Sequence, residues 1–293
     1  MIGPIFRSPP HLPRALPLAP GRGRRLENAV SHWVETLLGH LGLWRRQELR
    51  VERCDLALAG LARSFDGYRI AFVSDLHFSA VVPAWWIAHA VAAVNALGAD
   101  LVLLGGDYVS HSAEYAWPLV DLLRPLAAPD GVFGVLGNHD HYVGAAVVRA
   151  ALQQAGVIEL RNRSALVGRG ADSLAVAGVG DLRFDAIDFA AAVGEVPAHV
   201  PRVVVSHDPD VFAFWPPHLR LDLMLSGHTH GGQAHLPWLG PPYVPSQFGS
   251  RYLAGLFRED GRQLYVSRGV GAITAPVRWR CPPEITLVVL QPS

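Results

Sequence analysis

The stretch Gly131-Val132-Phe133-Gly134-Val135-Leu136-Gly137-Asn138-His139-Asp140 sets an apolar run against one glycine and three polar side chains. A run of that kind reads as a buried strand that delivers chemistry at its carboxyl end. Asn138 offers a neutral oxygen to a hard cation. His139 holds or gives a proton near neutral pH. Asp140 stands next to it and is expected to hold the second nitrogen of that imidazole and fix its tautomer. Alone, an Asn-His-Asp tripeptide is more often a polar turn than a site. Four other stretches end in the same way and give it weight.

Residues 68–74 form an apolar strand that runs into Asp75-Leu76-His77, and residues 100–104 form another that runs into Gly105-Gly106-Asp107. Residues 202–206 lead to His207, and residues 221–226 lead to Gly227-His228-Thr229-His230. Helices are expected over 85–97, 115–126 and 144–155. Pro118 is tolerable in the first turn of the second. Strand, loop, helix and strand in this rhythm predict βαβ units with a parallel or mostly parallel sheet. After Gly156 the texture shifts to short strands at 157–160, 164–167 and 174–179, with a short helix over 186–193. The tail adds strands at 252–257, 263–267 and 285–290, and one more is expected at 49–58.

The chain has 293 residues and is 50% hydrophobic, which suits a single α/β domain. Its formal net charge is zero, so no global field argues for nucleic acid or another charged partner. All 25 basic residues are Arg, which is read as codon usage rather than function. Cys54 and Cys281 lie far apart and outside any C-x-x-C pattern, against a disulfide scaffold or a thiolate metal site. No apolar run is long enough to span a bilayer. Residues 1–25 are rich in Pro and Arg and lack the apolar core of a signal peptide, so a cytoplasmic location is expected.

Residues 1–48 are expected to form an arm and an amphipathic helix, ahead of a catalytic domain over 49–293. In the helix, Val30, Trp33, Val34, Leu37, Leu38, Leu41 and Trp44 recur at helical spacing, with Arg45 and Arg46 at its end. Trp and Arg suit a bilayer interface, which makes residues 26–46 a candidate for contact with the inner face of a membrane. Packing of that face on the domain or on another subunit is the alternative.

The five strand ends carry Asp75 and His77, Asp107, Asn138 and His139, His207, and His228 and His230. Singly, each has a bland reading as a polar loop, a helix cap or a turn. Together, oxygen and nitrogen donors without a thiolate suit divalent ions such as Mn, Fe, Zn or Co, with Mn preferred. With His139 set aside for catalysis, seven donors serve two ions with four each if one carboxylate bridges. Asp107 is the expected bridge, because the two glycines before it allow close backbone approach. One ion would take Asp75, His77, Asp107 and His230, and the other Asp107, Asn138, His207 and His228.

These ordered blocks, D-x-H, G-D, G-N-H-D, a lone His and G-H-x-H, resemble the calcineurin-like metallophosphoesterase superfamily. The Ser74-Asp75-Leu76-His77, Gly227–Gln233 and Pro283-Glu284-Ile285 stretches most resemble its bacterial YkuE/YaeI-like group. The resemblance covers about residues 68–290. It implies a four-layer αββα sandwich with the two-metal site at the strand ends and the same division of ligands. Ser/Thr phosphatases of the superfamily carry D-R-G after the G-D aspartate, and that Arg grips a terminal phosphate. Here Asp107-Tyr108-Val109-Ser110-His111-Ser112 has no Arg. A doubly charged monoester benefits from such a cation more than a diester does.

A phosphodiester or pyrophosphate bond is therefore the expected target. Two ions about 3.5–4 Å apart would clamp the phosphate, and a hydroxide shared between them would attack phosphorus in line. His139 would protonate the leaving oxygen or stabilise charge on the phosphoryl group, with Asp140 orienting it. Arg268 and Arg278 are further candidates for phosphate contact, and Tyr108, His111 and His235 for the pocket wall. Some relatives cleave the pyrophosphate of UDP-diacylglucosamine, so a lipid-linked substrate is one expectation. A phosphomonoesterase and a non-catalytic metal-binding scaffold are the alternatives. The occupied ligand positions and His139 disfavour the scaffold.

Overall fold

The computed structural model describes residues 44, 47–235, 237–273 and 278–293. The arm and most of the helix expected over 1–48 lie outside these residues. Trp44 is described, and it is buried, with its ring packed edge-on to Trp86 at 5.4 Å. This end of the expected membrane-facing stripe is therefore taken up by the core.

Among the described residues twelve strands form two six-stranded sheets. The first sheet contains β1 (Arg50–Leu58), β2 (Tyr68–Val73), β3 (Leu101–Leu104), β4 (Val132–Gly134), β5 (Ile158–Glu159) and β12 (Glu284–Pro292), in the order β1-β12-β2-β3-β4-β5. The second contains β6 (Arg163–Arg169), β7 (Asp172–Gly178), β8 (Arg202–Val205), β9 (Leu223–Ser226), β10 (Gly255–Glu259) and β11 (Arg262–Val266), in the order β10-β11-β9-β8-β7-β6. Most pairings are parallel. The exceptions are β12 with β2, β6 with β7, and β10 with β11.

Strand periodicity explains the layers. Ile70 and Phe72 of β2, with Leu101 and Leu103 of β3, point between the sheets, where they meet Leu174, Val176, Val203, Val205, Leu223 and Leu225. Their alternates Ala71, Val73, Val102 and Leu104 point outward against a second core. That core holds Trp86, Ile87, Ala90 and Val94 of α1 (Ala84–Ala96), Leu119 and Leu123 of α2 (Ala116–Leu123), and Val148 and Leu152 of α4 (Ala145–Gln154). Beyond the second sheet, Val204, Met224 and Val266 pack on Phe189 of α5 (Phe189–Val193) and Phe212 of α6 (Val211–Phe214). The result is an αββα sandwich. Each fully buried Leu, Ile or Phe contributes about 1.5–3 kcal/mol.

One expected helix and the motif itself come out differently. The helix expected over 115–126 runs as α helix only over Ala116–Leu123, and Pro125 accounts for its early end. The motif itself, expected as a loop, opens a further helix, α3 (Asn138–Val143). Gly144 at φ 134° separates it from α4, a backbone angle that only glycine adopts readily.

Candidate metal centre

Register brings the motif loops together. Val73 of β2 pairs with Leu104 of β3, and Leu104 with Gly134 of β4, so the three strands end side by side. In the second sheet Val205 pairs with Leu225. The backbone then turns sharply. Asp75, His77, Asp107, His228 and His230 have φ of 55°, 48°, 55°, 69° and 54°. Asp and His are among the few non-glycine residues that visit this region, and such strain clusters at functional sites. At Gly106 a Cβ would lie 2.6 Å from the Gly137 nitrogen, so the two loops touch backbone to backbone.

Seven side chains converge there, all buried. His77 Nε2 and His230 Nε2 are 3.0 Å apart, and Asp75 Oδ1 lies 3.4 Å from His230 Nε2. His207 Nε2 lies 3.2 Å from Asn138 Oδ1 and 3.1 Å from His228 Nδ1. Asp107 Oδ2 sits between these clusters, 3.5 Å from His77 Nε2 and 3.2 Å from His207 Nε2. Asp75, His77 and His230 form one group that could hold a metal ion, and Asp107, His207 and His228 form another.

The outer contacts orient the rings. Nδ1 of His207 lies 2.8 Å from the Gly105 carbonyl, and Nε2 of His228 lies 2.8 Å from the Pro245 carbonyl. A carbonyl there takes the ring N–H and leaves the other nitrogen's lone pair facing inward. His77 Nδ1 meets Ser110 Oγ at 3.1 Å, and a hydroxyl serves the same purpose. His230 differs, because Arg278 Nη2 donates toward its Nδ1 at 3.1 Å, which leaves the proton of the neutral ring on Nε2, the nitrogen that faces His77. Inward nitrogens on His77, His207 and His228, three oxygen-bearing side chains and no thiolate fit hard or borderline divalent ions.

Electrostatics agree with this fit at most of these groups and not at His207, where burial would lower the ring but Asp107 outweighs it and holds it well above the usual imidazole value, so an ion there would have to displace its proton. Burial alone would raise the Asp107 carboxyl, but His207, His139 and His77 outweigh it and hold it well below the usual carboxylate range. Burial pushes His77, His228 and His230 down, keeping them neutral as ligation requires. It pushes the Asp75 carboxyl up to about 6, a cost that a cation beside it would remove.

His139 stands beside the clusters rather than in them. Its backbone N–H donates to Asp107 Oδ1 at 2.8 Å, and its ring packs edge-on to His77 at 4.9 Å and Tyr142 at 5.3 Å. Asp140 departs from expectation. Its buried carboxylate accepts the backbone N–H groups of Gly137, Asp107 and Tyr108 at 2.9 Å each, and that of Val109 at 3.3 Å. It therefore fastens the G-D loop to the G-N-H-D loop instead of holding the His139 ring. Arg268 and Arg278 are also drawn elsewhere. Arg268 pairs with Glu52 at 2.6 Å and Glu284 at 3.1 Å, while buried Arg278 donates to the carbonyls of Gly271 and Arg268 at 2.6 Å.

A cavity of about 410 Å³ opens over the centre, lined by Asp107, Asn138, His139, His228 and His230. Tyr142, Arg183 and Tyr243 also line it and went unnoticed in the sequence, and so does Gln233, which entered only as the end of the Gly227–Gln233 stretch. Arg183 had a signal, since it follows the end of β7 in Gly180-Asp181-Leu182-Arg183. Of the three suggested wall residues none lines this cavity. Tyr108 is buried, His235 Nε2 contacts the Gly231 carbonyl at 2.7 Å, and His111 packs on the ring of His139 at 5.6 Å.

An αββα sandwich with such a donor set at its strand ends defines a metal-dependent phosphoesterase. The chain belongs to the calcineurin-like phosphoesterase family, whose profile matches residues 68–232. It is 36% identical over 233 residues to the phosphodiesterase YaeI of Escherichia coli, covering 76% of this chain and 82% of that protein. It is 30% identical over 235 residues to the uncharacterized metallophosphoesterase YkuE of Bacillus subtilis, covering 79% and 82%. With the UDP-2,3-diacylglucosamine pyrophosphatase LpxG of Chlamydia trachomatis it shares 26% identity over 303 residues, covering 82% and 88%. The chain is thus a metallophosphoesterase. Among the described residues no helix is long and apolar enough to cross a membrane.

Proposed function

We propose that this protein hydrolyses a phosphodiester or pyrophosphate bond with two divalent ions. Asp75, His77, Asp107 and His230 would hold one ion, and Asp107, Asn138, His207 and His228 the other. The observation that carries the reading is the place of Asp107 Oδ2, within 3.5 Å of an imidazole nitrogen in each cluster. When bound, two such ions neutralise phosphate charge and lower the pKa of a bound water toward roughly 7. His139, at the cavity wall, gives a proton to the leaving oxygen. Asp140 positions the loops that carry Asp107 and His139. The apolar cavity residues Ala234, Pro242, Tyr243, Pro245 and Ile273 support a substrate with an apolar portion, and the name of LpxG points the same way. The mixed O and N donors suit Mn, Fe, Zn or Co, and Mn is the ion proposed.

Purified protein is expected to bind about two divalent ions per chain, as a complete two-metal site requires. With Mn it should hydrolyse bis(p-nitrophenyl) phosphate faster than p-nitrophenyl phosphate, and excess chelator should abolish both activities. Full turnover in chelator would end the metal reading. A strong monoester preference would end the diester reading.

Arg183 is a cavity residue on a loop remote in sequence from Asp107. It enters the cavity from a different loop and binds the anionic oxygens of a diester or the second phosphate of a pyrophosphate. Arg183→Gln should raise KM for bis(p-nitrophenyl) phosphate roughly tenfold or more, the size of a lost charge-assisted hydrogen bond, with kcat changed little. An unchanged KM would remove Arg183 from the substrate site.

A further inference from the structure

The cavity mouth is bordered by a segment, residues 237–248, that leaves large apolar side chains in water. Trp238 is 103% exposed, Leu239 81% and Tyr243 71%, and Trp279 on the neighbouring segment is 57% exposed. The two segments are stitched together, since His235 N–H donates to the Trp279 carbonyl at 3.0 Å and Trp279 N–H to the Gln233 carbonyl at 3.1 Å. Trp279 is thereby held beside the stretch that leads from the cavity residues Gln233 and Ala234 into residues 237–248. Scattered single apolar residues on a surface need no explanation, but a contiguous apolar rim marks an interaction site.

We propose that this rim docks the protein on an anionic lipid bilayer, with Trp238 and Leu239 entering the interface. Three observations favour a bilayer as the occupant. First, the charge is one-sided. From Ala234 to Arg258 and from Ser267 to Pro283 the sequence has no Asp or Glu, and exposed Arg280 stands next to Trp279. Trp beside Arg suits the boundary of anionic headgroups and acyl chains. Second, the rim is continuous with the cavity, because Pro242, Tyr243 and Pro245 line it from the same segment. A phosphoester held in a bilayer would reach the centre without passing through water. Third, the segment is anchored at its base while its tip is bare. The Asp210 carboxylate accepts Ser246 Oγ–H at 2.7 Å and Gln247 N–H at 2.6 Å, and the Pro245 carbonyl contacts His228 Nε2. Pro237, Pro241, Pro242 and Pro245 restrict the backbone between base and tip.

The test uses the full chain and sucrose-loaded vesicles of phosphatidylcholine, with or without phosphatidylglycerol. The wild type should sediment with the anionic vesicles. The double variant Trp238→Ser, Leu239→Ser should bind at least about tenfold more weakly, as expected for two large apolar side chains kept out of the interface. Its metal content and its turnover of soluble bis(p-nitrophenyl) phosphate should stay at the wild-type level, because neither residue lines the cavity. Trp238→Phe should retain binding, and Arg280→Gln should weaken binding to the anionic vesicles only. A wild type that ignores anionic vesicles, or a double variant that binds as well as wild type, would overturn the proposal. So would a wild-type dimer in light scattering that the double substitution dissociates while vesicle binding is unaffected. Vesicle binding is read apart from turnover, so failure of the proposed reaction and failure of the docking surface give different results.

Discussion

His139→Ala is expected to keep both metal ions and lose turnover by a factor of roughly 100 to 10,000, as for a missing acid–base or charge-stabilising group. The ring stands outside both donor groups, so removing it leaves them whole. The backbone N–H of His139 donates to Asp107 Oδ1, and alanine preserves that bond. What disappears is the imidazole at the cavity wall. The deficit should be larger for alkyl esters, whose leaving oxygen needs a proton, than for p-nitrophenyl esters, whose leaving group does not. Metal analysis beside kinetics on both ester types checks this. A variant that loses metal would place His139 among the ligands, and an equal loss on both esters would remove it as the proton donor.

Asp107→Asn should damage metal binding more than any other single ligand change. Asn tolerates the same left-handed backbone that Asp107 adopts, so the substitution removes a charge without forcing the loop to move. The lost charge is the one shared between clusters. Its oxygen faces both His77 and His207, and no second carboxylate lies that close to the His207 cluster among the groups that could hold metal. The fall in affinity should exceed the roughly 10–100-fold typical of losing an outer partner of a ligand. Content measured after dialysis should drop to about one ion or fewer per chain, with activity lost in parallel. If both ions remain at wild-type affinity, Asp107 does not bridge.

The sequence by itself determined the apolar strands and the polar residues that end them. The strand over 68–74 is apolar without a break from Ile70 to Val73, as a buried strand is, while the four layers were implied by the family resemblance. Each strand then stopped abruptly at Asp75, Asp107, Asn138, His207 or His228, because a buried apolar strand and a polar site have opposite solvation needs. Asp140 was misread because adjacency in sequence is not adjacency in space. Successive residues of a helix point about 100° apart. With α3 starting at Asn138, His139 turns to the cavity and Asp140 turns inward to four backbone amides. The insertion of β12 between β1 and β2, the delivery of Arg183 to the cavity, and the engagement of Arg268 and Arg278 by partners inside the fold all depend on contacts between distant segments. The same holds for the bare tip at Trp238 and Leu239. Composition marks these residues as core material, and only the tertiary structure decides that nothing in the described fold covers them.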